Sequence, residues 1–175
     1  MFTREAALDL IRRQNPEPHM LRHALSSEAV MRAMARHFGE DEELWGLVGL
    51  VHDVDFPHTK DDPERHGLMA EELLDGVLPA EGVKAIKAHN SEYTEVLPES
   101  RLDFALRAGE TVTGMVTAAA LVRPMGMEGM EAGSLKKKMK DKAFAAAVSR
   151  ERIRECERIG LSLDEFLTLA ITAMR

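Results

Sequence analysis

The apolar residues of this chain recur every three or four positions, which is the spacing of one face of an α-helix. Within residues 19–37, for example, that face carries Leu21, Ala24, Val30, Met31 and Met34. Val, Ile, Thr and Tyr, which favour strands, dominate no segment, whereas Ala, Leu and Met are abundant. The pattern therefore predicts an all-α fold, a helical bundle of about eight helices.

The length of the chain and the breaks between its helices predict one domain over residues 1–175. A chain of 175 residues fits one ordinary globular domain, and it contains no internal repeat and no low-complexity tract. A polar loop over residues 57–62 precedes a helix over 63–74, which opens with a proline. A long helix over 99–122 contains two glycines, which predict either a close helix contact or a kink. A further helix spans residues 135–159, in one or two pieces.

The charge balance excludes some classes of partner. Lys and Arg number 23 and Asp and Glu number 30, so the formal net charge is −7. An acidic chain binds nucleic acid polymers and anionic membranes poorly, and we expect neither as a partner. The single cysteine, Cys156, excludes an internal disulfide and any multi-cysteine zinc motif. Without a secretory signal or a membrane span, a cytoplasmic location is expected, and the apolar helices would permit a homodimer.

The seven histidines are the most informative residues of the chain. Four stand in apolar or helix-terminal contexts and are candidate metal ligands: His23, His52, His66 and His89. The other three lie beside prolines, at a helix end or in a polar loop, which is typical of surface residues: His19, His37 and His58. A single histidine on a helix is usually a surface or hydrogen-bonded core residue, and spacing alone does not show that the four converge.

His52 and Asp53 directly follow the apolar run over residues 47–51. Burying a charged aspartate after such a run is costly unless another charge compensates it. A divalent metal is one compensator, because imidazole nitrogen and carboxylate oxygen are natural ligands for it. Alternatively, Asp53 ends the helix or caps the following loop.

Four segments, taken in order, resemble the HD-domain metal-dependent phosphohydrolase superfamily, in particular its small bacterial members of the HDIG type. They are Leu50–Asp55 with the His–Asp pair, His66–Ala70, Ala88–Asn90 and the helix Ala105–Gly114. The resemblance covers a core of about residues 19–122 and leaves a helical C-terminal extension over 134–175. It implies an all-helical fold built around a metal site.

The resemblance also implies the ligands. Carried over by position, they are His23, His52, Asp53, His66, His89 and Glu110. His66 and His89 match the extra histidines of two-metal members, in which Asp53 would bridge both ions and act as the catalytic carboxylate. The cofactor would be one or two divalent transition-metal ions, with Fe, Mn, Co, Ni and Zn not distinguished.

The sequence departs from the family pattern at two positions. Glu110 stands where the family has Asp, and its longer side chain shifts the carboxylate by more than metal geometry usually tolerates. Asp103, two turns earlier on the same helix face, is a less favoured substitute. Asp55 stands where the family has Gly, and it either helps to neutralise a metal or faces solvent. If only one metal binds, His66, His89 and Asn90 are candidate general acids.

The resemblance implies hydrolysis of a phosphomonoester or phosphodiester bond by metal-activated water. We expect the substrate to be a small phosphorylated compound, with a nucleotide favoured. Arg22 and Lys137 are candidate substrate-binding residues, because cations guide phosphate groups.

Two other interpretations remain open at this stage. A non-catalytic metal- or ligand-binding module with an attenuated site is the main alternative, and Glu110 motivates it. The other is a helical interaction protein in which the histidines are coincidental.

Overall fold

The computed structural model describes residues 2–175, and within them the protein is all-helical, with no β-strand. The helices are α1 (Arg4–Arg13), α2 (Pro18–Phe38), α3 (Glu42–Val51), α4 (Phe56–Thr59), α5 (Leu68–Leu74), α6 (Ala80–His89), α7 (Ser91–Thr94), α8 (Arg101–Leu121), α9 (Ala132–Lys140), α10 (Arg150–Arg154) and α11 (Leu163–Ala173). A 3₁₀ helix over Glu155–Ile159 follows α10 directly. The all-α prediction is confirmed, and the elements beyond the predicted eight are mostly helices of one or two turns.

The longer helices begin at side chains that the sequence suits to capping. Thr3, Asp41 and Ser100 each accept a hydrogen bond from a backbone N–H in the first turn of α1, α3 and α8, respectively. Ser162 and Glu165 form the reciprocal capping box that opens α11. Helices α2 and α6, which carry His23 and His89, begin without a side-chain cap; of the capped helices, α3 and α8 contribute to the site.

The helices α2, α3 and α8 form the centre of the molecule. Helix α3 is almost entirely apolar and packs against α2, while α8 packs against both α2 and α6. Gly109 lets α8 approach α2, because a Cβ atom there would lie 2.7 Å from Cε of Met34. Helix α8 runs unbroken from Arg101 to Leu121, so the two glycines mark close contact rather than a kink.

Two predicted boundaries were wrong. The expected loop over 57–62 contains the helical turn α4, and the helix expected from Pro63 begins only at Leu68. The region over 135–159, expected to be helical in one or two pieces, is helical on both sides of a non-helical segment, residues 141–149. Arg150 holds this segment by donating hydrogen bonds to five backbone carbonyls, those of Met139, Asp141, Phe144, Ala145 and Val148.

One hydrophobic core extends from Ala7 to Ile171 and includes residues of the C-terminal extension. Cys156 lies in this core, and burial raises the pKa of its thiol to about 12, as suits a structural residue. Within the described chain, no helix has the length and apolarity to cross a bilayer.

Candidate metal centre

Asp53 stands at the middle of the candidate site because α3 ends two residues before it. The apolar residues of α3 are buried from Trp45 to Val51, which places the following His52 inside the protein with no exposed surface. The carboxylate of Asp53 retains 15% exposure and points toward the other histidines. The burial of α3 therefore positions a charged group at the edge of the core.

Two pairs of histidines surround the two carboxylate oxygens of Asp53. Oδ2 lies 3.5 Å from Nε2 of His23 on α2 and 3.4 Å from Nε2 of His52. Oδ1 lies 3.2 Å from Nε2 of His66 and 3.5 Å from Nε2 of His89, which ends α6. The structure thus brings together all four histidines that the sequence singled out and divides them between the two oxygens.

Within each pair, two Nε2 atoms face one another. The distance is 3.1 Å between His23 and His52, and 3.0 Å between His66 and His89. Adjacent nitrogen ligands at about 2.1 Å from one ion, at right angles, would be separated by about 3 Å. The spacing within each pair therefore fits two nitrogen ligands of one metal ion.

The hydrogen bonds at the other ring nitrogen assign the proton of each imidazole. Nδ1 of His52 donates to the carbonyl of Gly49 at 2.8 Å, and Nδ1 of His89 donates to the carbonyl of Ile86. Carbonyl oxygens only accept, so both Nδ1 atoms carry hydrogen and both Nε2 atoms can present lone pairs.

Side chains orient the remaining two rings in the same way. Nδ1 of His66 donates to Oδ1 of Asp55 at 3.0 Å. Nδ1 of His23 donates to the hydroxyl of Thr113 at 3.0 Å, and that hydroxyl in turn donates to the carbonyl of Glu110. Four lone-pair nitrogens and one carboxylate thus converge, an arrangement that a cation stabilises. The donor set fits one or two divalent transition-metal ions, with a second layer of hydrogen bonds typical of metal-ligating histidines.

The charges of the metal-free centre show the same demand for positive charge, because a proton on His66 then occupies the Nε2 lone pair that a bound metal ion would take instead. Burial disfavours charge on His66, but hydrogen bonds to Asp53 and Asp55 outweigh it and raise its pKa to about 10. Burial also opposes ionisation of Asp53, yet the field of His52 and hydrogen bonds from His66 and His89 hold its pKa well below the usual range. His23 differs, since burial and the nearby His52 lower its pKa.

Asp55 acts on His66 from inside the protein. It has no exposed surface, and its carboxylate also accepts hydrogen bonds from the backbone N–H groups of Gly67 at 2.7 Å and Ala70 at 3.1 Å. The alternative that Asp55 faces solvent is therefore wrong. Gly67 has a φ of 89°, a conformation that favours glycine, and it closes the turn that presents His66.

Glu110 lies beside the two groups of ligands rather than within either one. Its Oε2 is 3.9 Å from Nε2 of His23, while its Oε1 accepts the hydroxyl of Thr111 at 2.5 Å and lies 3.8 Å from Nη1 of Arg152. Its assignment as a ligand stays a prediction.

Two alternatives for the site are occupied elsewhere. Oδ2 of Asp103 accepts the backbone N–H groups of Glu99 and Ser100 at the start of α8, and Asp103 belongs to neither group of possible metal ligands. The amide of Asn90 donates to the carbonyls of Pro63 and His66, which makes it a structural residue. His19, His37 and His58 are exposed, as expected.

A cleft of about 510 Å³ opens beside His23. Its lining comprises His23, Glu92, Tyr93, Glu110, Thr111, Gly114, Ala147, Val148, Ser149 and Arg152. Arg22 and Lys137 are exposed and line no part of it, so their role in substrate binding stays a prediction. The sequence missed Thr113 and Arg152, since a threonine within a helix and one arginine in a charged segment carry no distinguishing signal.

Comparison with protein families agrees with this geometry. The sequence model of the HD domain matches residues 20–123, more than half of the chain. The chain belongs to the HD-domain family. No curated protein and no solved structure matched significantly. Asp53 and the four histidines around it all lie within the matched HD-domain region, whereas Arg152 lies outside it.

Proposed function

We propose that this HD-domain protein is a metal-dependent phosphohydrolase that cleaves a phosphomonoester or phosphodiester bond of a small phosphorylated compound, with nucleotides the favoured class. The observation that carries the proposal is the shared carboxylate of Asp53, with one facing pair of histidine nitrogens at each oxygen. The family match supports the same chemistry, since HD domains are generally metal-dependent hydrolases.

Some residues of the centre would bind the metal ions, and others orient the side chains that bind them. A divalent metal ion would supply Lewis acidity toward a phosphoryl oxygen and toward a water molecule. Asp53 would hold two ions through its two oxygens, and the four imidazoles would hold them as neutral ligands that leave the positive charge available. Asp55 and Thr113 keep His66 and His23 in the required orientation. The two separate groups favour two ions over one.

The variant Asp53→Asn tests the proposal. It removes the one negative charge common to both groups and should lower phosphatase activity on the order of 10³-fold, because several kcal/mol of transition-state stabilisation depend on the metal. Activity is measured on p-nitrophenyl phosphate, bis-p-nitrophenyl phosphate and a nucleotide panel, after reconstitution with Mn, Fe, Co, Ni or Zn. Circular dichroism verifies the fold.

The matched control is Asp61→Asn, which removes the same charge from an exposed position in the adjacent loop. It should retain wild-type activity. An Asp53→Asn protein with full activity and full metal content would contradict the proposal.

A non-catalytic metal- or ligand-binding module is the second candidate, and the position of Glu110 favours it. Oε2 of Glu110 lies 3.9 Å from Nε2 of His23, and its Oε1 accepts the hydroxyl of Thr111. The His23–His52 pair therefore has Asp53 as the one carboxylate in its ligand group. Glu110→Asp separates the two functions: a large gain in hydrolysis would identify a natural protein with an attenuated site, whereas a loss would mean that the site is built around Glu. A purely structural helical protein predicts no bound metal and no effect of chelators on the melting temperature.

A further inference from the structure

The C-terminal extension supplies one wall of the cleft beside the metal centre. Residues 147–149 and Arg152 of this extension line the cleft, and all of them lie outside the region that matches the HD domain. The facing walls are His23 on α2, Glu110 and Thr111 on α8, and Tyr93 on α7. Whatever binds next to the metal centre therefore also meets residues that lie outside the matched HD-domain region.

Arg152 is the one permanently charged cation of this lining within residues 2–175. Its Nη2 donates to Oε2 of Glu92 at 2.6 Å, and this is the single hydrogen bond that its guanidinium makes in the described chain. A guanidinium has five N–H donors, so four remain for another group. The side chain is 24% exposed and lines the cleft, so a ligand in the cleft lies next to a guanidinium with donors to spare.

Two other arginines, Arg107 and Arg150, differ from Arg152 in how many hydrogen bonds they donate. Arg107 donates to five residues: Ala88, His89, Ser91, Glu92 and Glu155. Arg150 likewise donates to five backbone carbonyls. Both are structural groups with their donors in use, whereas Arg152 is held at one end and available at the other.

Glu92 and Glu110 position the guanidinium of Arg152. Burial opposes the charge of Glu92, but the hydrogen bond from Arg152 and the charges of Arg152 and Arg107 lower its pKa to about 2, so it stays ionised. Glu110 Oε1 lies 3.8 Å from Nη1 of Arg152, too far for a hydrogen bond. An incoming phosphoryl oxygen would thus compete with Glu110, the weaker partner, while Glu92 keeps the side chain in place.

The remaining lining suits a flat organic group. Tyr93 is 51% exposed, and Gly114, Ala147 and Val148 add small apolar surfaces. Aromatic rings pack well on a tyrosine that is open to solvent. The volume of the cleft falls within the usual range of small-molecule sites.

We propose that this cleft is the substrate site of the hydrolase, with Arg152 binding the phosphoryl group of a phosphomonoester whose planar ring packs on Tyr93, as in a nucleoside monophosphate. The proposal rests on the hydrolase function proposed above and names its substrate class. A guanidinium can grip two phosphoryl oxygens at once, which suits a terminal phosphate better than a diester.

The experiment combines binding with kinetics. Calorimetry measures ligand binding to the metal-loaded wild-type protein and its variants. The probes are the 5′-monophosphates of adenosine, guanosine, cytidine and uridine, and ribose 5-phosphate, which carries no base. Arg152→Ala should weaken binding of all five probes by about tenfold to a hundredfold, and Arg152→Lys should restore part of it. Tyr93→Ala should weaken binding of the four nucleotides by about two- to tenfold and leave binding of ribose 5-phosphate unchanged.

Arg154→Ala is the control, because it removes the same charge from the same helix but does not line this cleft. Its binding should match the wild type, and metal content should be unchanged in every variant. If Arg152→Ala and Arg152→Lys bind all probes as the wild type does, the proposal is overturned. So is it if Arg154→Ala weakens binding equally, since the effect would then be one of net charge.

Measuring kcat/KM for hydrolysis of the same probes distinguishes failure of this proposal from failure of the proposed hydrolase function. If the wild type hydrolyses phosphomonoesters and Arg152→Ala leaves kcat/KM unchanged, the hydrolase stands and the assignment of Arg152 fails. If the wild type hydrolyses none of the probes but binds them through Arg152, the assignment of the cleft stands and the hydrolase fails.

Discussion

The two histidine pairs that share Asp53 are built alike but supported differently. In each pair one ring, His52 or His89, is buried and donates to the carbonyl three residues earlier. The other ring is oriented by a side chain: the Thr113 hydroxyl for His23 and the Asp55 carboxylate for His66. The two pairs therefore share one buried ring that donates to a backbone carbonyl. They differ in the partner of the second ring, which is the neutral Thr113 in one pair and the charged Asp55 in the other.

The elements that carry the pairs differ as well. His23 stands within the 21-residue helix α2, which packs against α3 and α8, and His52 caps α3. His66 stands in a turn between α4 and α5, and that turn is held by hydrogen bonds to the buried carboxylate of Asp55 and from the amide of Asn90. One pair is therefore fixed by helix packing and the other by a buried charge, so different changes should disrupt them.

The largest expected effect is the loss of bound metal when one histidine of either pair is replaced. His52→Ala should empty the position at Oδ2 of Asp53 and His89→Ala the position at Oδ1, so each should remove about half of the bound metal. Elemental mass spectrometry on metal-reconstituted protein measures the content per chain. His19→Ala, an exposed histidine, is the control and should change nothing. If either single change removed all of the metal, the two pairs would form one site and the comparison would fail.

A smaller difference is expected from the partners of the rings. Asp55→Asn removes a charge behind His66 and should lower metal affinity at the His66–His89 pair by about 10- to 100-fold. Thr113→Val keeps the shape of the side chain but removes the acceptor for His23, and its effect should fall at or below the lower end of that range, because the lost partner is neutral. Competition with a chelator of known affinity measures both. Equal losses in the two variants would show that the charge of Asp55 has no special role.

The sequence singled out the side chains that meet at Asp53, but not the groups that support them. The order of His23, His52–Asp53, His66 and His89 identified the family, and a helical fold was evident from the spacing of apolar residues. That the four rings meet at Asp53 depends on how α2, α3 and α6 pack, which residue spacing does not encode. The role of Asp55 does not follow from the sequence, because a carboxylate close to an apolar run is equally typical of a solvated and of a buried group.

Two regions resisted prediction for physical reasons. The segment over 141–149 contains good helix formers such as Ala145 and Ala147, yet its carbonyls bond to Arg150 instead of continuing a helix. A tertiary contact overrides local propensity there. The position of Glu110 does not follow from the sequence either, since metal geometry tolerates only about 0.2 Å of error in a ligand distance, far less than the bond length that one methylene adds.

The smallest expected effect isolates the turn that presents His66. Gly67→Ala places a side chain at a φ of 89°, which costs about 1–2 kcal/mol, and the new Cβ would lie 3.4 Å from the carbonyl of Ile86, the acceptor that orients His89. Metal affinity at the His66–His89 pair should fall by less than about fivefold, because only part of that strain, below about 1 kcal/mol, displaces the turn and the rest lowers the stability of the fold. The melting temperature should fall by about 2–8 °C. The His23–His52 pair, on its packed helices, should keep its affinity.

Gly76→Ala provides the matched comparison for that change. Gly76 also has a positive φ, of 70°, but a Cβ there would meet no atom within 4 Å, and it lies outside the metal centre. This variant should show a similar loss of melting temperature with unchanged metal binding at both pairs. Should Gly76→Ala reduce metal affinity as much as Gly67→Ala does, the loss would reflect global destabilisation. The His66–His89 pair would then depend on the stability of the whole bundle, as the His23–His52 pair does, rather than on its own turn.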